Sequence, residues 1–288
     1  MGEELGAGIK CVSDNASLIW PIQRIREDGR ELVDDRVVIE EPLEIVINDQ
    51  SVAVLMRMPG QEKELAAGFC VTEGYVRRAD DILLIHHCGS GYPAPGNEGA
   101  DDGLGSRNRV ELKVIPAGFR PPAGSDAVRL IRAGCGAAEV SVISETLPPV
   151  VSDLRVSPAV LLGLGRTMRD LQSVHPQIGG THSAALFLPT GEAVTQAEDI
   201  GRHNAIDKVL GHCLLRSISL SDKVLVTSGR ASYEMVMKAV RVNLPMLVTL
   251  SAPTSLAVQL AGDKGLTLIG YLRGGRMNVY THPWRVES

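Results

Sequence analysis

From about residue 157 the chain alternates short apolar runs with amphipathic stretches of helical length, and few folds accommodate that rhythm. KVLVTS, PMLVTL and LTLIGYL are strand-length runs of Val, Leu and Ile. Around them HNAIDKVLGHCLLRS, ASYEMVMKAVRV and TSLAVQLAGDKG space their apolar residues by three and four, the period of a helix. Strands that are apolar on both faces need cover on both faces. The expected architecture is therefore a partly parallel sheet between helical layers, a three-layer α/β fold. Ahead of it, SPAVLLGLGRTMRDLQ places Ser157 at an N-cap and Pro158 in the first turn of a predicted helix. THSAALFLPTGEAVTQA predicts a hairpin around Thr190-Gly191, and MNVYTH a closing strand.

The first half reads differently. Val- and Ile-rich runs flank Asn48-Asp49, which predicts a β-hairpin over about 43–58. EKELAAGFCVTEGYV predicts a helix over about 62–75 behind an acidic first turn, ILLIHHC a short buried strand, and RVELKVIP a half-buried one. Residues 1–35 lack sustained periodicity and are expected to be a tail and lead-in segment. A smaller strand-rich α+β domain over 36–125 follows, ending in the Gly/Pro-rich AGFRPPAGS. A loop and connection over 126–150 leads to the α/β domain at 151–288. The 288 residues exceed one ordinary core, which agrees with two domains.

A net charge of −5 argues against a general nucleic-acid binder. Five cysteines, at 11, 70, 88, 135 and 213, are odd in number and lack paired metal spacing, so a reducing cytoplasm is expected and no disulfide framework. No signal-peptide core or membrane-length apolar run is present. His86, His87 and Cys88 are metal-competent side chains, but neighbours on a strand point to opposite faces, so core or surface roles are expected and no metal site.

Cys135 lies in Ala133-Gly134-Cys135-Gly136-Ala137-Ala138, where flanking glycines let another molecule approach the sulfur. Arg129 and Arg132 precede it and would favour thiolate if near. The loop alone leaves both a reactive and a structural thiol open. Anion sites are expected where two strands run into helices through small residues, Ser228-Gly229-Arg230-Ala231-Ser232 and Ser251-Ala252-Pro253-Thr254-Ser255. Ser232, Thr254 and Ser255 could equally be plain helix caps. Asp199, Arg202, His203, Asn204, Asp207 and Lys208 crowd another helix start, with Asp199 a possible cap and Asp207 with Lys208 a possible wet face. Tyr271-Leu272-Arg273-Gly274-Gly275-Arg276 brackets a glycine turn with two arginines, the residue suited to forked phosphate or guanine recognition. Zinc-deaminase and P-loop signatures are absent.

EKELAAGFCVTEGYV, GCGAA, GGTHSAALF, EDIGRHNAIDKVLG, SGRASYEMVMKAV and YLRGGRMNVYTHP together resemble the FdhD/NarQ family of formate dehydrogenase accessory proteins, from about residue 40 to the C-terminus. The resemblance implies a cytoplasmic, homodimeric sulfur carrier with a cytidine-deaminase-like α/β domain lacking zinc. Such a sulfurtransferase takes sulfur from a cysteine desulfurase as a persulfide and passes it to the bis(molybdopterin guanine dinucleotide) molybdenum cofactor of formate dehydrogenase, with GDP as a partial mimic of the cofactor. It implies Cys135 as the persulfide carrier and Tyr271 to Arg276 as a cofactor-binding stretch. Membrane and nucleic acid are not among the implied partners. The family's second loop cysteine falls on Ala138. That departure keeps open an alternative, a cofactor-binding chaperone without sulfur transfer.

Overall fold

The computed structural model describes residues 16–88, 108–120 and 146–288, together with the backbone of 129–131. Among these residues the strands form three sheets. The first is a ribbon of β1 (Ser17–Arg26) and β2 (Gly29–Val38). This differs from the tail expected before residue 36. Much of the ribbon's side-chain surface faces solvent on both sides, so no apolar/polar alternation marks the strands. The turn between them is Glu27-Asp28, with Gly29 opening β2.

The second sheet has the order β5-β6-β3-β4-β7, from β3 (Glu41–Ile47), β4 (Gln50–Arg57), β5 (Ile82–Cys88), β6 (Arg109–Val114) and β7 (Arg129–Ile131). Asn48 and Asp49 take φ of 48° and 68° and close the predicted β3–β4 hairpin. β5 is not the buried strand expected from its apolar run. It is the sheet's edge, with Leu83 and Leu84 exposed. α1 (Glu62–Thr72) covers one face of this sheet, sealing Leu43, Ile45, Leu55 and Leu112 under Leu65 and Phe69. It stops earlier than its apolar spacing suggests, with Gly74 at φ 83° just beyond.

The third sheet has the order β13-β12-β11-β10-β8-β9: β8 (His182–Phe187), β9 (Ala193–Asp199), β10 (Val224–Thr227), β11 (Met246–Thr249), β12 (Thr267–Arg273) and β13 (Arg276–Val279). β10, β11 and β12 are parallel, and β8, β9 and β13 run antiparallel to their neighbours, so the expected α/β class is found with a mixed sheet. One face packs Leu225, Leu247 and Leu268 against α4 (Arg202–Leu215), α5 (Tyr233–Arg241) and α6 (Ser255–Lys264). The other packs Val226, Val248 and Ile269 against α2 (Pro158–Asp170), whose N-cap Ser157 accepts from Val160 N as the sequence predicts. The one-turn α3 (His175–Ile178) starts on Glu198, which accepts from the backbone N–H groups of Ser173, Val174 and His175. No described helix is long and apolar enough to cross a membrane.

α1 and α4 join the two larger sheets, and two glycines let their backbones touch. A Cβ on Gly68 would collide with the Asp207 carbonyl, and one on Gly211 with that of Glu64. Beside this crossing Asp207 and Lys208, a possible wet face by sequence, are both buried. Lys238 Nζ lies 2.9 and 3.1 Å from the Asp207 oxygens, 2.6 Å from Glu73 and 2.9 Å from Thr72 Oγ1. Burial opposes the ammonium, but Asp207 and Glu73 outweigh it and hold Lys238 protonated above the usual lysine range.

Gly211→Ala would gain up to about 1 kcal/mol of helix propensity but force two backbones apart at about 1–3 kcal/mol or more, so a net loss of stability is expected in urea unfolding. Asp207→Asn strands a buried ammonium with only the half-buried Glu73 as counter-charge, and a loss of about 3 kcal/mol is expected from the same measurement.

Candidate functional site

The parallel strands β10 and β11 end together, β12 runs on past them to Arg273, and the antiparallel β8 starts at the same edge, because His182 pairs in register with Asp199 while Thr227 pairs with Ala184. Carboxyl ends of such strands are where open α/β sheets take ligands. The loops there are tied to one another. Leu250 N donates to Thr227 O, Ala231 N to Ala252 O, Thr254 N to Ala231 O and Tyr271 N to Ser251 O, at 2.9–3.2 Å. Thr249 Oγ1 donates to the Gly229 carbonyl.

Three helices start at this edge, and their first turns differ. Thr254 caps α6, its hydroxyl accepting from Ala257 N. Ser255 is that helix's first residue. Ser232 occupies the N-cap of α5, yet its hydroxyl caps nothing and is buried without a hydrogen bond. Gly201 precedes α4, also without a side-chain cap. α4 and α5 thus present first-turn N–H groups, with the positive end of the dipole, to whatever occupies the edge.

Around these two helix starts the structure gathers Arg202, His203, Ser228, Gly229 and Ser232. A Cβ on Gly229 would press on Arg202 Cδ at 3.2 Å and approach His182 Nδ1 at 3.7 Å, so glycine is what lets Arg202 pass there. Arg202 Nε is buried with no hydrogen-bond partner among the described residues. Ser228 Oγ accepts from Ser183 N at 3.0 Å and shares a hydrogen bond with His182 Nδ1 at 3.2 Å. Burial first, then the charge of Arg202, holds His182 below the usual histidine range and so uncharged at neutral pH. His203 Nε2 sits 3.0 Å from Glu234, whose carboxyl that contact keeps below its ordinary range. Nothing local in the sequence marks His182 or Glu234, since neither stands next in the chain to the residues it meets.

Other expected site residues have other places. Asn204 turns inward, donating to Asp199 Oδ1 at 2.9 Å and Met56 O at 2.8 Å. Leu272 is core. Arg273 and Arg276 face each other across the Gly274-Gly275 turn, both exposed, with Arg273 5.5 Å over the Tyr271 ring. Arg230 is exposed, and Ser251 serves the Tyr271 backbone. The arginine tip belongs to the same sheet end, two strands across from Ser228 and farther out along β12.

Cys135, its arginine neighbour Arg132 and Ala138 lie outside the described residues. The chain leading to them does not: Ile131, ending β7, pairs with Leu55. Three residues beyond Leu55, Met58 donates its N–H to Asp199 Oδ2 at 3.2 Å, and Asp199 stands opposite His182. Three thiols are described: Cys88 is half-buried on β5, while burial drives Cys70 far up and Cys213 up to about 11, disfavouring the thiolate at both. Among the described residues no group of three or more His, Cys, Asp and Glu side chains could hold a metal ion.

The sequence model of the FdhD/NarQ family matches residues 38–287. "Sulfur carrier protein FdhD" of Streptomyces coelicolor is 41% identical over 271 residues, covering 91% of this chain and 93% of its own. The protein of the same name from Sulfolobus acidocaldarius is 33% identical over 267 residues, covering 92% and 97%. A crystal structure provisionally assigned as a formate dehydrogenase accessory protein from Desulfotalea psychrophila superimposes with a TM-score of 0.74 at 28% identity, covering 94% of this chain and all of that one. With a match over nearly its whole length, the chain belongs to the FdhD/NarQ family.

Proposed function

We propose that this protein is a sulfur carrier for formate dehydrogenase, and that its sulfur travels as a persulfide on Cys135 from a cysteine desulfurase to the bis(molybdopterin guanine dinucleotide) molybdenum cofactor. The observation that carries the reading is where the Cys135 loop leaves the described chain. Ile131 is anchored beside Leu55, and the strand it pairs with runs directly into the Met58–Asp199 contact at the start of α4. Cys135 follows Ile131 by four residues, a chain reach of at most about 14 Å. Uptake by a lone thiol needs no resolving partner: the thiolate attacks the outer sulfur of the donor persulfide, that S–S bond breaks, and the donor leaves as thiolate. Ala138 is compatible with that step.

The cofactor enters this reading as substrate. Its diphosphate links suit the first-turn N–H groups of α4 and α5, with Arg202 as the charged donor and uncharged His182 beside it. Arg273 and Arg276 are the groups for its far end. The same reading includes a cytoplasmic homodimer and a deaminase-like descent for the six-stranded half.

Incubated with a cysteine desulfurase and cysteine, the protein is expected to gain the mass of one sulfur, and Cys135→Ala to gain none. If the alanine variant gains as much, the assignment to Cys135 is wrong; if it gains none and still matures formate dehydrogenase in cells, the chaperone alternative without sulfur transfer takes its place. For the binding site, Arg202→Ala is expected to weaken GDP about ten- to a hundredfold by titration calorimetry, as loss of a charge-assisted contact to phosphate does. Arg230→Ala, an exposed position, serves as the comparison, and an unchanged affinity for Arg202→Ala removes the site from α4.

A further inference from the structure

Arg241 is the last residue of α5, and its guanidinium lies in the crease where that helix meets the end of α1. A Cβ on Gly74 would fall 2.1 Å from Arg241 Nη1 and 3.0 Å from Cζ. Glycine is thus needed there twice, for the φ of 83° and for the space the guanidinium takes. In that slot Arg241 Nε is buried without a hydrogen-bond partner, and Arg241 makes no hydrogen bond or ion pair among the described residues. A helix C-terminus favours a cation, but such a side chain ordinarily reaches water or the last carbonyls. Burial first, with Glu73 opposing and the like charge of Arg120 adding to it, holds Arg241 below the usual arginine range. Glu73 is already committed, since its carboxylate meets Lys238 at 2.6 Å. Arg120 is brought to the crease by the bridge of Val76 to Phe119 and by its own N–H, which donates to Tyr75 O at 2.8 Å. Its side chain is exposed and also makes no hydrogen bond or ion pair among the described residues.

We infer that this crease is a binding site for a phosphate-type oxyanion, held by Arg241 from within and by Arg120 from the solvent side. Two like charges that repel each other and lack acceptors are both satisfied by one anion placed between them. Guanidinium groups present forked N–H pairs, which match the several oxygens of a tetrahedral oxyanion and are wasted on a spherical ion such as chloride. The half-buried setting strengthens the contact, because water competes poorly for donors already withdrawn from it. On a chain of net charge −5 such a site must be made locally, and here it is made by packing one guanidinium against a glycine. The site stands apart from the cofactor edge. That edge meets the first turn of α5, whereas Arg241 closes the helix nine residues later, roughly 12 Å along its axis. The inference is independent of the sulfur chemistry.

In an Arg202→Ala background, which weakens the cofactor edge, titration calorimetry of the full chain is expected to show inorganic phosphate binding that Arg241→Gln and Arg120→Gln each weaken about ten- to a hundredfold. Arg166→Gln, the same charge change at an exposed position of α2, is expected to leave that binding as it was. Ethyl phosphate run alongside separates the two sources of the group: tighter binding of the ester marks a phosphate carried on a larger molecule, tighter binding of the ion marks free phosphate, and either supports the site. In chloride buffer without phosphate, Arg241→Gln is expected to melt no lower than its parent, because it removes a cation that nothing pairs. Phosphate is then expected to raise the melting temperature of the parent and not of the variant. GDP affinity is expected to be equal in wild type and Arg241→Gln. Absence of phosphate binding in the Arg202→Ala protein, or equal binding by all the variants, overturns the inference. So does an Arg241→Gln protein that melts lower in chloride and still binds phosphate, and so does a fall in its GDP affinity as large as that for phosphate.

Discussion

The buried carboxylate of Asp199 is the contact on which the rest of the arrangement depends. One oxygen accepts from Gly201 N and Asn204 Nδ2, the other from Met58 N, and Lys208 Nζ closes on it at 2.7 Å. A carboxylate taken fully out of water is tolerable only when its lone pairs are occupied and its charge is matched, and here both conditions are met. Because the donors come from β4, the β9–α4 connection and α4 itself, satisfying one side chain fixes the start of α4 against both large sheets. Lys208 extends the tie, donating also to the carbonyls of Met58 and Glu198. Arg202 and His203 begin the helix that this contact orients.

The same economy recurs one turn further along α4, where Asp207 receives Lys238 and Thr72 beside the glycine crossing. The two halves are therefore held by two buried charge networks and a backbone-to-backbone contact. Leu214 and Val242, from the second half, pack on the core beneath α1. A rigid joint of this kind keeps the end of β4, and with it the departure point of the Cys135 loop from neighbouring β7, in fixed relation to the helix starts.

Much of this was legible in the sequence, and what was not has identifiable causes. The α/β rhythm after residue 157 and both predicted hairpins are local patterns, and local patterns survive into the fold. β5 misled because an apolar run of seven residues reads the same in a buried strand and in an exposed edge, and only its neighbours decide which. Asp207 and Lys208 look like a solvated face until α1 is laid over them. The partnership of His182 with Ser228, 46 residues apart, arises from antiparallel pairing of β8 with β10 and leaves no trace in spacing. The ribbon at 17–38 lacks the burial that would have given it a period.

The contrast between the capped start of α6 and the uncapped starts of α4 and α5 bears on release as much as on capture. Had Ser232 closed its own helix, a ligand would have to displace a protein group to gain those donors, and the protein would reclaim them on departure. As they stand, no side-chain cap among the described residues holds those donors. For a ligand held there as proposed, retention would become a question of how dry the edge stays, and admitting solvent would loosen the grip with no refolding of the helices that made it.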